Sequence, residues 1–410
     1  MRKKYIINAK RSAIGKFLGA LYEADIANVS SQVIKKGFAN EMKYFVDTDF
    51  FIVGNVISAG LGQGIARKIS INSGFSEKVP AYMVSMVCGS GMQAIRSAMA
   101  EIECGSNLVM CGGIEFMSNI PFATNSYIRL GKKFGDFTMT DLMTHDGLID
   151  SFSNVHMGIT AENIAKKFNI TRQEQEEYSY NAIQRAISAI DGGVFRNEIV
   201  PVVLKDYKNR EYTFDTDEFA NRESTVEKMK SLKPTFLKDG TGTITAATTS
   251  GINDGVSFLL ISSENYCRDN GIKPICEIVD SSVVGIDPQY MGLGPYYAIK
   301  KLLQKNNMKF NEVDYYEMNE AFAAQALGCM KLLSKEYNLP ENEIIKKTNI
   351  YGSGLGLGHP LGCTGARITT TLAYILGNSN AKFGIATLCI GGGMGEALLL
   401  RRVENNEFQR

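Results

Sequence analysis

Two blocks of short apolar runs alternating with helix-length stretches, held apart by residues 120–250 of a different texture, limit what this chain can fold into. In the first block FFIVGNV (50–56), AYMVSMV (81–87) and NLVMCGG (107–113) have the length and composition of buried strands. Between the last two lies GSGMQAIRSAMAEIECG, helical in period and stopped by Gly105. The second block has strand candidates VSFLLIS (256–262), ICEIVDSSVVG (275–285), VDYYEMN (313–319) and KFGIATLCIGGG (382–393), with GPYYAIKKLLQKNN and TGARITTTLAYILG as helices among them. This alternation predicts βαβ units on a largely parallel sheet covered by helices, an α/β fold of two similar halves. At 410 residues the chain is expected to form two or three packed units. The middle stretch contains one amphipathic helix, TRQEQEEYSYNAIQRAISAID, with Thr171 as N-cap and Glu174 completing a capping box. The rest reads as a loop-rich insertion, the kind of segment that serves a site or an interface.

Composition removes several function classes. A net charge of +1 argues against a nucleic-acid binder with a broad basic surface. The eight cysteines are scattered, without a CxxC pair or zinc-like spacing, and predict reduced thiols in a cytoplasmic protein. With only His145, His156 and His359 available, no histidine-based metal site is expected. The run Tyr5-Ile6-Ile7 is too short for a signal-peptide core, no stretch reaches the ~20 apolar residues of a membrane span, and the terminal EFQR carries no legible address.

Four segments carry chemistry. In MVSMVCGSGMQAI, Cys88 ends a β-like run and Gly89, Ser90 and Gly91 open a helix. A sulfur at a helix N-terminus is expected to ionise below the usual thiol value of about 8.5 and to serve as a nucleophile. In IYGSGLGLGHPLGCTGARI, Pro360 forces His359 out of helical geometry, and a glycine-rich turn places it as a general base. In ATLCIGGGMGEALLL, Cys389 ends a strand before Gly391, Gly392 and Gly393, whose N–H groups could line an oxyanion hole. In EMNEAFAAQALG, Asn319 sits at a strand-to-helix junction, where Asn is ordinarily a cap.

CGSG at Cys88, NEAF at Asn319, GHP at His359 and CxGGGxG at Cys389, in that order, resemble the thiolase family. KRSAIGKF, GNVISAGLGQGIAR, the loop segment HMGITAENIAKKF, SGINDG and VGIDPQYMGLGP extend the resemblance over nearly the whole chain. It implies a five-layered α/β/α/β/α arrangement: one half at 1–120 completed by about 251–268, a loop domain at 121–250 for CoA and oligomer contacts, and a second half at 269–410. It also implies a ping-pong exchange between two acetyl-CoA and acetoacetyl-CoA plus CoA, with CoA thioesters as substrates and no permanently bound cofactor. Cys88 would carry the acyl group, His359 would activate it and Cys389 would move the α-proton. His359 and a water held by Asn319 would meet the enolate oxygen, and the N–H groups of Cys88 and Gly391 would meet the tetrahedral oxyanion. By the same resemblance Leu148, His156, Met157, Met291 and Phe322 surround the acyl and pantetheine site, while Ser250 and Arg222 contact CoA. His156 before Met157 resembles the short-chain, biosynthetic type. TAATTSG departs from the family's TAGNASG at Thr248 and Thr249, and Asn221 stands where an Arg beside the adenine would align. IRLGKKFGDF, with Arg129, Lys132 and Lys133, resembles the loop that joins thiolase dimers into tetramers, so a homo-oligomer is expected. A degradative 3-ketoacyl-CoA thiolase of broader chain length, or a non-catalytic acyl-CoA-binding protein of this shape, are the alternatives.

Overall fold

A computed structural model describes residues 2–404 and 406–408, so part of the terminal EFQR lies outside the described residues. Among the described residues ten strands build its large sheet, nine of them in one continuous row: β1 (Lys4–Arg11), β2 (Phe50–Gly54), β3 (Ala81–Val84), β4 (Leu108–Phe116), β5 (Asn253–Ser263), β6 (Cys276–Gly285), β7 (Tyr315–Met318), β8 (Phe383–Ile390) and β9 (Met394–Arg402). The short strand Gly15–Lys16 pairs with β5.

The same strand order occurs twice. In the first half β1, β5 and β4 are antiparallel neighbours, and β2 and β3 follow in parallel. In the second, β6, β9 and β8 are antiparallel and β7 follows in parallel, with a parallel bridge from Tyr316 to Thr348 where β3 stands in the first half. The halves join through three residue pairs of β1 and β6, Lys4–Ile278, Tyr5–Glu277 and Ile6–Cys276. The sheet is therefore mixed, not largely parallel as expected from the texture. Two strands account for this: β5 runs antiparallel to β1 and β4 on either side of it, and β9, which returns from β8 through Gly391–Gly393, runs antiparallel to β6 and β8.

Two helices, α1 (Ser90–Glu103) and the later Leu361–Gly377, lie between the half-sheets in one apolar core. Outside the first half-sheet pack helices Ile26–Gly37 and Ile65–Asn72; outside the second pack Gly294–Lys305 and Ala323–Tyr337. Five layers result. The two central helices come close together near their N-termini, where a Cβ on Gly91 would stand 2.7 Å from the Gly362 carbonyl oxygen. Only glycine permits that approach.

The insertion is partly helical. The segment read as a loop, HMGITAENIAKKF, is helix α2 (Met157–Phe168), capped by His156 and buried through Ala161, Ile164 and Ala165. Helix α3 (Arg172–Asp191) has the expected capping box: the Glu174 N–H donates to Thr171 Oγ1 and the Thr171 N–H to Glu174 Oε2. Fully buried Arg11 of β1 fastens the insertion to the first half-sheet, donating to Glu198 at 2.8 Å and to both oxygens of Asp217 at 2.7 and 2.9 Å. Removal of Arg11 would leave two buried carboxylates without their cation, at about 3–5 kcal/mol. Among the described residues no helix is long and apolar enough to cross a membrane.

Candidate active site

One cavity of about 370 Å³ opens between the insertion and the ends of both halves, and Cys88, His359, Cys389 and Gly391 all line it. Each arrives on a different device. Cys88 sits on the turn from β3 into α1, held by the Ser90 hydroxyl, which accepts from the Met86 N–H at 2.9 Å and donates to the Val87 oxygen at 2.7 Å. Val87 has φ +47, a conformation that a β-branched residue rarely adopts, so the neighbouring structure imposes it. Cys389 is the next-to-last residue of β8, and Gly391 begins the three-glycine turn into β9, with Gly392 and Gly393 both at φ +83.

His359 reaches the cavity from the turn just before the other central helix, henceforth α4 (Leu361–Gly377). Gly358 before it has φ +97, and a Cβ there would lie 2.4 Å from Asn253 Cγ. Asn253, at the start of β5, accepts the His359 N–H at 3.0 Å and donates to the Gly15 oxygen at 2.9 Å. The imidazole Nδ1 lies 2.6 Å from Thr364 Oγ1, while Nε2 is buried and unpartnered.

Electrostatics separate the three groups. Burial pushes the Cys88 thiol up to about 11, against the pull of the Gly391 N–H and its own N–H, and Glu115 adds to the rise. The low thiol pKa expected from the helix terminus is thus absent: Cys88 precedes the cap and is enclosed by protein, and desolvation outweighs the N–H groups. Burial also raises Cys389 well above a normal thiol, with Cys88 the next contributor. Burial, then the Arg367 cation, lowers His359 to about 3. At neutral pH and without substrate, all three are uncharged.

Of the residues expected around the acyl group and pantetheine, Leu148, His156, Met157, Met291, Phe322 and Ser250 line the same cavity. His156 caps α2, accepting from the Gly158 N–H at 3.0 Å through Nδ1, so its other nitrogen carries the proton. Its ring stacks on Phe236 at 4.7 Å between centroids. Two expected residues are not on the cavity wall. Asn319 donates its N–H to the Thr387 oxygen, but its side chain is buried behind the wall with both amide atoms unpartnered. Arg222 lies on the surface in a two-pronged ion pair with Asp191, at 2.7 and 2.9 Å. Phe236, Phe219 and Asn253 were not legible as site residues: the first two lie in irregular segments without a period, and Asn253 acts on a residue 106 positions away. Among the described residues no group of three or more His, Cys, Asp or Glu is placed to hold a metal ion.

Known proteins share this fold. The chain matches the family descriptions "Thiolase, N-terminal domain" over residues 4–265 and "Thiolase, C-terminal domain" over residues 272–402. It is 40% identical to the cytosolic acetyl-CoA acetyltransferase of Rattus norvegicus, across 97% of this chain and 98% of that one. The crystal structure of the Bacillus anthracis acetyl-CoA acetyltransferase superposes with a TM-score of 0.92 at 38% identity, covering 98% of this chain and 99% of that one. Human mitochondrial 3-ketoacyl-CoA thiolase superposes with a TM-score of 0.91 at 34% identity, covering 98% and 99%. With both domain descriptions matched in order and the duplicated five-layer fold in place, the chain belongs to the thiolase family.

Proposed function

We propose that the chain is an acetyl-CoA C-acetyltransferase that reversibly condenses two acetyl-CoA into acetoacetyl-CoA and CoA. The observation that carries this reading is the meeting of both sulfurs, the His359 imidazole and the Gly391 N–H on one cavity wall. In the first half-reaction the Cys88 proton passes to His359 Nε2 and the sulfur attacks the thioester carbon. The oxyanion meets the N–H groups of Cys88 and Gly391, a donor of this kind being worth about 2.7–4 kcal/mol at the transition state. Collapse breaks the bond from carbon to the CoA sulfur, and CoA leaves with the proton from the imidazolium. In the second, Cys389 first gives its proton to His359, neutral again once CoA has left, and the thiolate so formed takes the α-proton of a new acetyl-CoA. The carbanion attacks the acyl carbon, its bond to Cys88 breaks, and the departing Cys88 sulfur receives the proton from the imidazolium, which leaves Cys389 protonated as at the start. Burial makes an ionised Cys389 a stronger base, which suits a weak C–H acid, and makes its thiol a proton keeper for the reverse direction.

Asn319 has the role of holding a water at the enolate oxygen, and its unpartnered amide supports that. Arg222 contacts the adenine end only after leaving Asp191. The halves of the molecule are 1–120 with 251–268, and 269–410; residues 121–250 form the CoA and assembly domain. A homo-oligomer, dimer or tetramer, uses the loop around Arg129, Lys132 and Lys133, where Tyr127, Leu130, Phe134 and Phe137 are exposed. The eight cysteines, all unpaired, accord with a reducing cytoplasm.

The likeness to a 3-ketoacyl-CoA thiolase keeps longer acyl chains as the second reading. Leu148, Met157 and Met291 crowd the cavity and favour the short chain. Initial thiolysis rates decide: acetoacetyl-CoA should be cleaved faster than 3-ketooctanoyl-CoA, and the opposite order overturns the short-chain assignment.

A further inference from the structure

Nothing so far accounts for the polar contact behind His359. Its Nδ1 lies 2.6 Å from Thr364 Oγ1, and that oxygen lies 2.9 Å from the Pro360 carbonyl oxygen. Thr364 is fully buried in the first turn of α4, one turn beyond His359. A threonine hydroxyl has one proton to give, and a carbonyl oxygen can only accept. With that proton directed to Pro360, the short contact to the ring is made by Nδ1–H donating to the hydroxyl oxygen. The neutral ring then has no proton on Nε2, the nitrogen that is buried, unpartnered and on the residue lining the cavity.

We infer that Thr364 is a positioning residue: its hydroxyl fixes His359 in the Nδ1–H tautomer, so that Nε2 presents a lone pair to the Cys88 thiol. This rests on the reading of His359 as the base for Cys88. A charged carboxylate in the same place would also orient the ring, but would hold the proton on the imidazolium by direct ion pairing. A hydroxyl orients without charge. Buried beside Arg367, the imidazolium is therefore a poor resting state and a ready donor to the departing CoA sulfur. The chemistry needs that, because the proton taken from Cys88 has to be returned within one half-reaction.

The test has two arms. The chain has only three histidines, so ¹⁵N spectra of the ring nitrogens can be assigned by single replacement of each. Wild type should show His359 with its proton on Nδ1; a proton on Nε2 overturns the inference whatever the enzyme's activity. In the second arm, Thr364→Val keeps the shape and removes the hydroxyl, while Thr364→Ser keeps the hydroxyl and removes the methyl. Acetylation of Cys88 by acetyl-CoA, followed by intact mass, should slow by about 10²-fold or more in Thr364→Val, the lower range for general-base catalysis. Thr364→Ser should stay within about threefold of wild type, well inside that range. A Thr364→Val protein with the wild-type tautomer, or with wild-type acylation, overturns the role. If His359→Ala acylates as fast as wild type, the base assignment fails separately, and the tautomer result still stands on its own.

Discussion

The two halves share a strand order, yet they deliver different groups to the same cavity by different means. In the first, β3 is a full strand and the chain turns into α1 through Val87 at φ +47, which thrusts a thiol into the space between the halves. In the second, that strand is reduced to the single bridge at Thr348, and a glycine-rich turn followed by Pro360 sets an imidazole before α4. The nucleophile is mostly buried and borders the cavity, whereas the base is fully buried and held by Asn253 of the opposite half. Duplication thus supplies two helix N-termini facing one space, and the local turn decides which chemistry each one presents.

The largest effect should come from breaking the asymmetry of the sulfurs. Cys88→Ala should gain no acetyl group on mixing with acetyl-CoA, and Cys389→Ala should gain one yet form no acetoacetyl-CoA. Intact mass and product chromatography check both, and an acetyl adduct on Cys88→Ala would refute the assignment. Next is the turn of the second half. Gly358→Ala forces a Cβ into Asn253 at a left-handed φ, and should lower condensation by more than tenfold while costing about 1–2 kcal/mol in stability, measured by denaturant unfolding.

Two buried carboxylates sharpen the comparison with smaller effects of opposite sign. Glu115, on β4, accepts from Asn55 Nδ2 and from the N–H groups of Val56, Ile57 and Gly362 at 2.8–3.3 Å, tying the first half to the start of α4. Glu115→Gln would turn an amide donor toward these donors and should destabilise by about 1–3 kcal/mol. Glu396, on β9, is buried with both oxygens unpartnered, and burial pushes it up to about 8. That value lies above its unfolded one, so the native protein keeps a proton that the unfolded chain has lost. Stability therefore declines as pH rises from the unfolded value toward 8. Glu396→Gln should raise the melting temperature at pH 9 and change it little at pH 4; equal gains at both pH values would show that the charge is not the cause.

Much of this was legible because the elements are locally consistent: an apolar run such as NLVMCGG makes its own strand, and the glycines around Cys88 and Cys389 make their own turns. What escaped depends on distant partners. The strand Lys4–Arg11 has an apolar start but ends in a charge that is tolerated only because Glu198 and Asp217 meet it nearly two hundred residues later. HMGITAENIAKKF hides its helix in sequence because its buried face is built partly of small residues, Ala161 and Ala165, which pack against helix Ala323–Tyr337. The thiol pKa was misjudged for a related reason: a helix terminus is visible in sequence, but enclosure is not.

β5 is made late and used early in the sheet order, lying between β1 and β4. Roughly 140 residues separate Phe116 from Asn253, so at 5–20 residues per second a ribosome spends about 7–30 s with the first half-sheet missing its middle. Nascent chains stalled with residue 240 outside the exit tunnel should be cut readily by protease, and those with residue 270 outside should resist. The growing chain thus carries two unsatisfied sheet edges through that interval, which makes this stretch of translation the one in which a chaperone has the most to shield.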